Sequence, residues 1–124
     1  MNKILVVEDD PIMLKAIGNI LTKSGYEITI AKNGKEAFEK LASIEFDLVL
    51  TDLMMPFNNG LEIVEKSRKL NTPVIVVSSV GSEDIITECF KLGISDFLKK
   101  PIMAAELLAR IRKVLKDDNP KLSL

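Results

Sequence analysis

Five side chains in this 124-residue chain could act together on one phosphoryl group: Glu8, Asp9, Asp52, Ser78 and Lys100. They close four runs that read as strands, at residues 4–7, 48–51, 74–77 and 96–99. If those runs are parallel strands, their C-terminal ends share one edge, which is where open α/β sheets bind ligands. Two unit charges about 4 Å apart repel by roughly 4 kcal/mol at an effective dielectric near 20. Three carboxylates at one edge therefore raise one another's pKa or take up a cation. Mg²⁺ suits such a site, since it takes oxygen ligands, keeps several waters and binds through one or two carboxylates plus a phosphate. Asp52 is the candidate nucleophile, because a carboxylate can accept a phosphoryl group as an aspartyl phosphate. A bound cation would offset charge on the carboxylate and on the incoming oxygens. The Ser78 hydroxyl could donate to a phosphoryl oxygen, and the Lys100 ammonium could pair with Asp52 at rest and with phosphate afterwards.

Each of these residues also has a plainer reading. An acid before a helix is often a cap, and Asp10 before Pro11 reads as an N-cap with proline in the first turn. That explanation does not reach Asp52, which ends a different strand. Ser78 alone would simply open a loop, and Ser79 competes with it for a role. Lys99 is as basic as Lys100, but Pro101 fixes the backbone of Lys100 at the strand end, in a bond that could be cis. Phe97 reads as core, and Cys89 as a small apolar contact.

The elements that must position these residues follow from periodicity. Apolar or alternating runs predict strands at 3–8, 26–31, 46–51, 73–78 and 95–99, with Tyr26, Ile28 and Ile30 alternating as in an edge strand. Helical stripes lie between them. They comprise Met13, Ala16, Ile17, Ile20 and Leu21; Ala37, Phe38 and Leu41; Leu61, Val64 and Leu70; Ile85, Ile86, Cys89 and Phe90; and Ala104, Leu107, Leu108, Ile111 and Leu115. Gly25 and Gly93 read as helix stops, Asn33-Gly34 as a turn, and Pro56 to Gly60 as a loop. Strands alternating with helices imply βαβ units, right-handed crossovers and a parallel sheet covered on both faces. The uniform runs of the first, third and fourth strands suit central positions. One α/β domain is expected over residues 1–118, with a short tail at 119–124.

Composition narrows the classes. Hydrophobic content of 47% and 28% charged residues argue against disorder, and a net charge of −1 with scattered Lys and Arg against a nucleic-acid surface. The one cysteine excludes an intrachain disulfide and suits a reducing, cytoplasmic setting. No run approaches transmembrane length. The chain has no histidine, so it cannot be a histidine kinase or a His-based phosphocarrier, and with only Cys89 a structural zinc site is excluded in practice.

The motifs in order resemble the receiver domain of two-component response regulators. Residues 4–11 (Ile-Leu-Val-Val-Glu-Asp-Asp-Pro) look like the family's first strand and acidic pair, and residues 50–56 (Leu-Thr-Asp-Leu-Met-Met-Pro) like its phosphoacceptor segment. Asn59-Gly60-Leu61-Glu62, Val76-Val77-Ser78-Ser79 and Phe97-Leu98-Lys99-Lys100-Pro101 match the segments that follow, so the likeness covers about residues 3–116. The resemblance implies a flavodoxin-like five-stranded sheet of order 2-1-3-4-5. It implies that Asp52 accepts a phosphoryl group from a phosphohistidine on a histidine kinase or phosphotransfer protein. Glu8, Asp9, Asp52 and the backbone carbonyl of Met54 would hold Mg²⁺, while Lys100 and Ser78 would contact the phosphoryl group. Ser78 and Phe97 would be switch residues, changing the affinity of the fourth-helix, fifth-strand, fifth-helix surface for a downstream target or effector domain. No direct nucleic-acid or membrane partner is implied, and the state is a monomer or a phosphorylation-promoted dimer through that surface.

The chain departs from the family pattern at several positions. Ser78 replaces a commoner Thr, Ser79 a frequent Ala and Asn59 a frequent Asp. Met54 and Val80 are apolar beside the phosphoryl position, so attacking water would be poorly placed and the aspartyl phosphate long-lived. The chain is not expected to be a conventional enzyme: it would catalyse only its own phosphorylation and slow dephosphorylation. Three readings remain. The chain's end just after the last helix favours a stand-alone phospho-switch. A second reading is the receiver portion of a longer DNA-binding transcription factor, in which Asp96 and Arg110 would pair between subunits and Glu106 would lack a basic partner at Ile86. A Mg²⁺-dependent phosphatase ranks last, because Met54 occupies the place of the needed acid.

Overall fold

The β-branched runs form the centre of a parallel sheet, and the amphipathic segments between them cover both of its faces. A computed structural model describes residues 2–55 and 58–116. The elements run β1 (Lys3–Val7), α1 (Pro11–Lys23), β2 (Glu27–Ala31), α2 (Gly34–Ser43), β3 (Leu48–Thr51), β4 (Met54–Met55), β5 (Asn58–Asn59), α3 (Gly60–Lys69), β6 (Val74–Ser78), α4 (Glu83–Lys91), β7 (Asp96–Lys99) and α5 (Ala104–Leu115). The main sheet has the order β2-β1-β3-β6-β7, all parallel, which is the expected 2-1-3-4-5 order once the two-residue β4–β5 pair is set aside. β1, β3 and β6 are central, and their side chains are buried on both faces, as continuous Val/Ile/Leu runs require.

Two cores result. Leu5, Val7, Val49, Val74 and Val76 face α2, α3 and α4, meeting Ala37, Leu41, Ile63, Val64 and Cys89. Ile4, Val6, Leu48, Leu50, Ile75 and Val77 face α1 and α5, meeting Leu14, Ile17, Leu21, Leu107 and Ile111. Local chemistry sets the helix starts. Asp10, Asn33 and Ser82 accept N-cap hydrogen bonds from Ile12, Glu36 and Ile85. Gly25 and Gly93 adopt φ of +90° and +94°, as the expected stops require.

Several stripe residues differ from expectation. Ala16 and Ala104 are exposed, whereas Leu14 and Gly18 are buried in α1. An alanine therefore counted as apolar in the pattern yet fell on the solvent face. Leu70 lies beyond α3 and is 45% exposed, and the buried stripe is Ile63, Val64 and Ser67. Ile30 is exposed on the open edge of β2. In α4 the buried residue is Cys89, with Phe90 exposed. The segment read as a loop from Pro56 to Gly60 contains the β5 residues, paired antiparallel with Met54–Met55, and Gly60 already opens α3. Pro56 itself and the expected tail at 119–124 lie outside the described residues.

Gly60 fixes the seat of the phosphoacceptor candidate. Its N–H donates to the Leu53 carbonyl at 2.9 Å. A Cβ at this position would collide with the Asp52 carbonyl oxygen and lie 2.6 Å from Leu53 Cα. Both obstacles are backbone, so relief requires the chain around Asp52 to move. Gly60→Ala should lower the unfolding free energy by about 1–3 kcal/mol, the usual range for overpacking. Urea denaturation of the two proteins at equal slope checks this, and an unchanged midpoint would contradict it.

Candidate functional site

The C-terminal ends of β1, β3, β6 and β7 carry the five predicted residues to one edge. Glu8 follows β1, and its N–H donates to the Ala31 carbonyl at 3.1 Å. Asp52 follows β3, and its N–H donates to the Val7 carbonyl at 3.1 Å. Each acid is thus pinned to a neighbouring strand before its side chain makes any contact. Ser78 is the last residue of β6, and its carbonyl accepts from the Lys100 N–H at 2.9 Å, which fixes the end of β7. The Lys100-Pro101 bond is cis.

Three of the five residues meet directly. The Lys100 ammonium donates to Asp52 Oδ2 and to Glu8 Oε1, both at 2.9 Å. Asp52 Oδ1 accepts from the Met54 N–H at 3.2 Å. Glu8 and Asp52 are buried, and the Lys100 side chain is 16% exposed. Asp9 is exposed, yet carboxylate oxygens of Glu8, Asp9 and Asp52 lie within 4.8 Å of one another. Ser78 is fully buried, and its Oγ accepts from the Val80 N–H at 3.1 Å. Asp10 caps α1, as expected.

Electrostatics follow from burial and this pairing. Desolvation is the main reason that the Glu8 pKa is pushed up to about 7; the hydrogen bond from Lys100 opposes the rise, and the nearby Asp52 charge adds to it. Burial acts to lower the Lys100 pKa, but the bonds to Asp52 and then to Glu8 outweigh it and raise the value above the usual lysine range. The set of three hard oxygen donors, one of them facing solvent, fits a divalent cation such as Mg²⁺. A groove of about 300 Å³ at the opposite edge, lined by Leu41, Ile44, Phe46, Leu70 and Thr72 among others, has Glu45 as its one ionisable lining residue.

Three features differ from the sequence reading. Phe97, expected in the core, is half-buried and packs against its margin, close to Gly81. Arg110 bonds Asp96 within the same chain at 3.2 Å, rather than being left for a second subunit. Lys100 reaches Glu8 as well as Asp52, a contact that no local pattern announces. The Met54 N–H bond and the close approach of Gly60 were also not anticipated; the Asn59-Gly60 pair was their only trace in the sequence.

The family model described as the response regulator receiver domain matches residues 4–112. The chain belongs to the response-regulator receiver family. The receiver is 34% identical over 117 residues to the chemotaxis protein CheY of Thermotoga maritima, covering 92% of this chain and 98% of that protein. It is 38% identical over 119 residues to the transcriptional regulatory protein CrdR of Helicobacter pylori, covering 94% of this chain but 56% of that one. It therefore spans about half the length of such transcriptional relatives. Among solved structures, a CheY-like receiver from Methanospirillum hungatei superposes with a TM-score of 0.90 at 29% identity, over 98% of both chains. The receiver domain of sensor histidine kinase PA1611 from Pseudomonas aeruginosa, described with a magnesium ion in its active-site cleft, gives a TM-score of 0.84 at 25% identity over 94% of this receiver and 98% of that chain. Among the described residues no helix is long and apolar enough to cross a membrane.

The raised Glu8 pKa has a definite sign in stability. The folded receiver holds the Glu8 proton more tightly than the unfolded chain does, so this contribution is fully present below about pH 4.5 and lost as pH rises through about 7. The loss is on the order of 3 kcal/mol at 1.36 kcal/mol per pKa unit. In cation-free buffer, wild type should lose stability relative to Glu8→Gln across that window. Denaturation curves at several pH values check the difference, and a constant gap would refute it.

Proposed function

We propose that Asp52 is the phosphoacceptor of a signalling switch that takes its phosphoryl group from a phosphohistidine on a partner protein. The observation that carries this reading is the treatment of the two Asp52 oxygens: Oδ2 receives the Lys100 ammonium and Oδ1 the Met54 N–H. A buried carboxylate oriented by two donors, beside two further acids, is prepared for transfer rather than for capping. In the transfer, an Asp52 oxygen forms the bond to phosphorus as the bond from the imidazole nitrogen breaks, and the nitrogen keeps the electron pair. Glu8, Asp9, Asp52 and the Met54 carbonyl would hold Mg²⁺, which when bound neutralises charge on the phosphoryl oxygens. Lys100 is placed to exchange part of its pairing with Asp52 for the added phosphoryl oxygens. Ser78, whose oxygen is occupied by Val80, retains a hydroxyl proton to donate.

Ile12, Met54 and Met103 follow the ends of β1, β3 and β7 and are 79%, 64% and 69% exposed. Large apolar side chains on the same edge as the acids suit docking of a partner that presents its phosphohistidine there. The output surface is α4–β7–α5, with Ser78 and Phe97 as the moving residues and a downstream protein or effector domain as the recipient. Phe97 is half-buried, which leaves it room to turn. The Arg110–Asp96 bond is satisfied within the chain, so this pair does not require a dimer. Met54 offers no acid or base beside Asp52, which favours a stored phosphoryl group over turnover.

Acetyl phosphate with Mg²⁺ should add one phosphoryl group to the wild-type chain, read by intact mass, and none to Asp52→Asn. The adduct should outlast seconds in the purified protein. An unmodified wild type, or an equal adduct on Asp52→Asn, would overturn the reading.

A further inference from the structure

The groove at the N-terminal edge of the sheet lies far from the acids. Thr72, in its lining, comes just before β6, and Ser78 is the last residue of that strand, about 20 Å away at the rise of a parallel strand. A volume of about 300 Å³ puts the groove at the small end of ligand pockets. Leu41 and Phe46 are its buried walls, Ile44 is half-buried, and Leu70 is apolar yet exposed. Thr72 is 6% exposed. Among the described residues its hydroxyl has no hydrogen-bond partner, and no side-chain oxygen without a partner is sealed from solvent. The hydroxyl is therefore the part of Thr72 that opens into the groove. Glu45 is exposed on the rim and has no ion pair among the described residues. Its neighbour Asp47 accepts the Lys3 N–H at 2.7 Å, and the Lys3 ammonium lies 3.7 Å from Glu27. The C-terminal ends of α2, at Ser43, and α3, at Lys69, also converge here, and each helix end carries a partial negative charge. The basic side chains in the last turn of α3, Lys66, Arg68 and Lys69, do not line the groove.

We propose that this groove is a second binding site, for a small organic ammonium compound whose apolar body carries one further polar group. The apolar body lies against Leu41, Phe46 and Leu70. The ammonium pairs with Glu45, in the field of the two helix ends, and the second polar group meets the Thr72 hydroxyl. Each feature of the groove then has a partner: the apolar walls are covered, the open carboxylate is neutralised and the free hydroxyl is bonded. An anion would meet Glu45 and both helix ends with the wrong sign. A purely apolar ligand would strip water from Thr72 and give nothing back. The site shares no residue with the phosphoacceptor edge, so it stands or falls independently of Asp52.

Tyramine, a phenol on an ethylammonium chain, is a suitable probe of the full chain. Titration followed by amide NMR should give saturable shifts at Glu45, Phe46, Leu70 and Thr72, with a dissociation constant on the order of 1 mM, as about ten non-hydrogen atoms allow. Tyrosol, the neutral alcohol of the same shape, should bind about two- to fivefold more weakly, the usual range for one exposed ion pair. Glu45→Gln should weaken tyramine by a similar factor and leave tyrosol unchanged. Thr72→Val should weaken tyramine about two- to tenfold and leave phenethylammonium, which lacks the phenol oxygen, unchanged. These crossed comparisons separate a direct contact from a general loosening of the groove. Should Thr72→Val fail to fold, the ligand series and Glu45→Gln still decide. Shifts that do not saturate, shifts centred on the acidic edge, equal affinities for tyramine and tyrosol, or an equal loss of both in Glu45→Gln would overturn the proposal. So would binding of acetyl-Leu-Lys-amide in the groove where tyramine does not bind, which would assign the groove to a protein segment instead. None of these results bears on phosphorylation of Asp52.

Discussion

Two buried carboxylates share one ammonium, and much of the structure serves to make that arrangement possible. Burial disfavours the charged form of Glu8 and the Lys100 ammonium opposes that, since an isolated buried carboxylate would neutralise or unfold its surroundings. The backbone bonds from Glu8 to Ala31, Asp52 to Val7 and Lys100 to Ser78 each tie one of the three residues to an adjacent strand end. The triad is held by the sheet edge itself, and the side-chain bonds need only close the last few ångströms.

That dependence accounts for the apolar uniformity of the central strands. β1, β3 and β6 expose almost nothing, so they give the acidic edge a rigid, low-dielectric floor. The same floor pushes the Glu8 pKa up and makes its pairing with Lys100 matter. Stability and reactivity are therefore opposed at this edge: the burial that strengthens the Lys100 bonds also makes every uncompensated charge costly. Gly60 adds a steric constraint, because the start of α3 presses against the peptide that carries Asp52.

Most of the fold was legible because its elements are short and its patterns are clear. Continuous β-branched runs marked the buried strands, proline and cap residues marked the helix starts, and polar residues closing the runs marked the edge. Where the reading strayed, the cause was local. Ala16 and Ala104 carry too little side chain to reveal which face they occupy, and Ile30 sits on an edge strand whose outer flank needs no cover. Within the site, the residues were readable but not all of their partnerships. The Lys100–Glu8 bond joins positions 92 residues apart and depends on strand spacing and side-chain length, which no linear pattern encodes. Phe97 was read as core from its type alone, while its position beside Gly81 leaves one flank open.

The shallow seating of α4 sets an energy scale. Cys89 is its buried residue, Ile85 and Ile86 are half-covered and Phe90 is exposed, whereas the central strands bury nearly every side chain. Burying a large apolar side chain is worth about 1.5–3 kcal/mol. Inverting a two-state population from 1:99 to 99:1 takes about 5.5 kcal/mol. A rearrangement of the central strands would exceed that sum many times over, while α4 has far less buried side chain to displace. The fold thus places its shallowly seated helix α4 one loop away from Ser78.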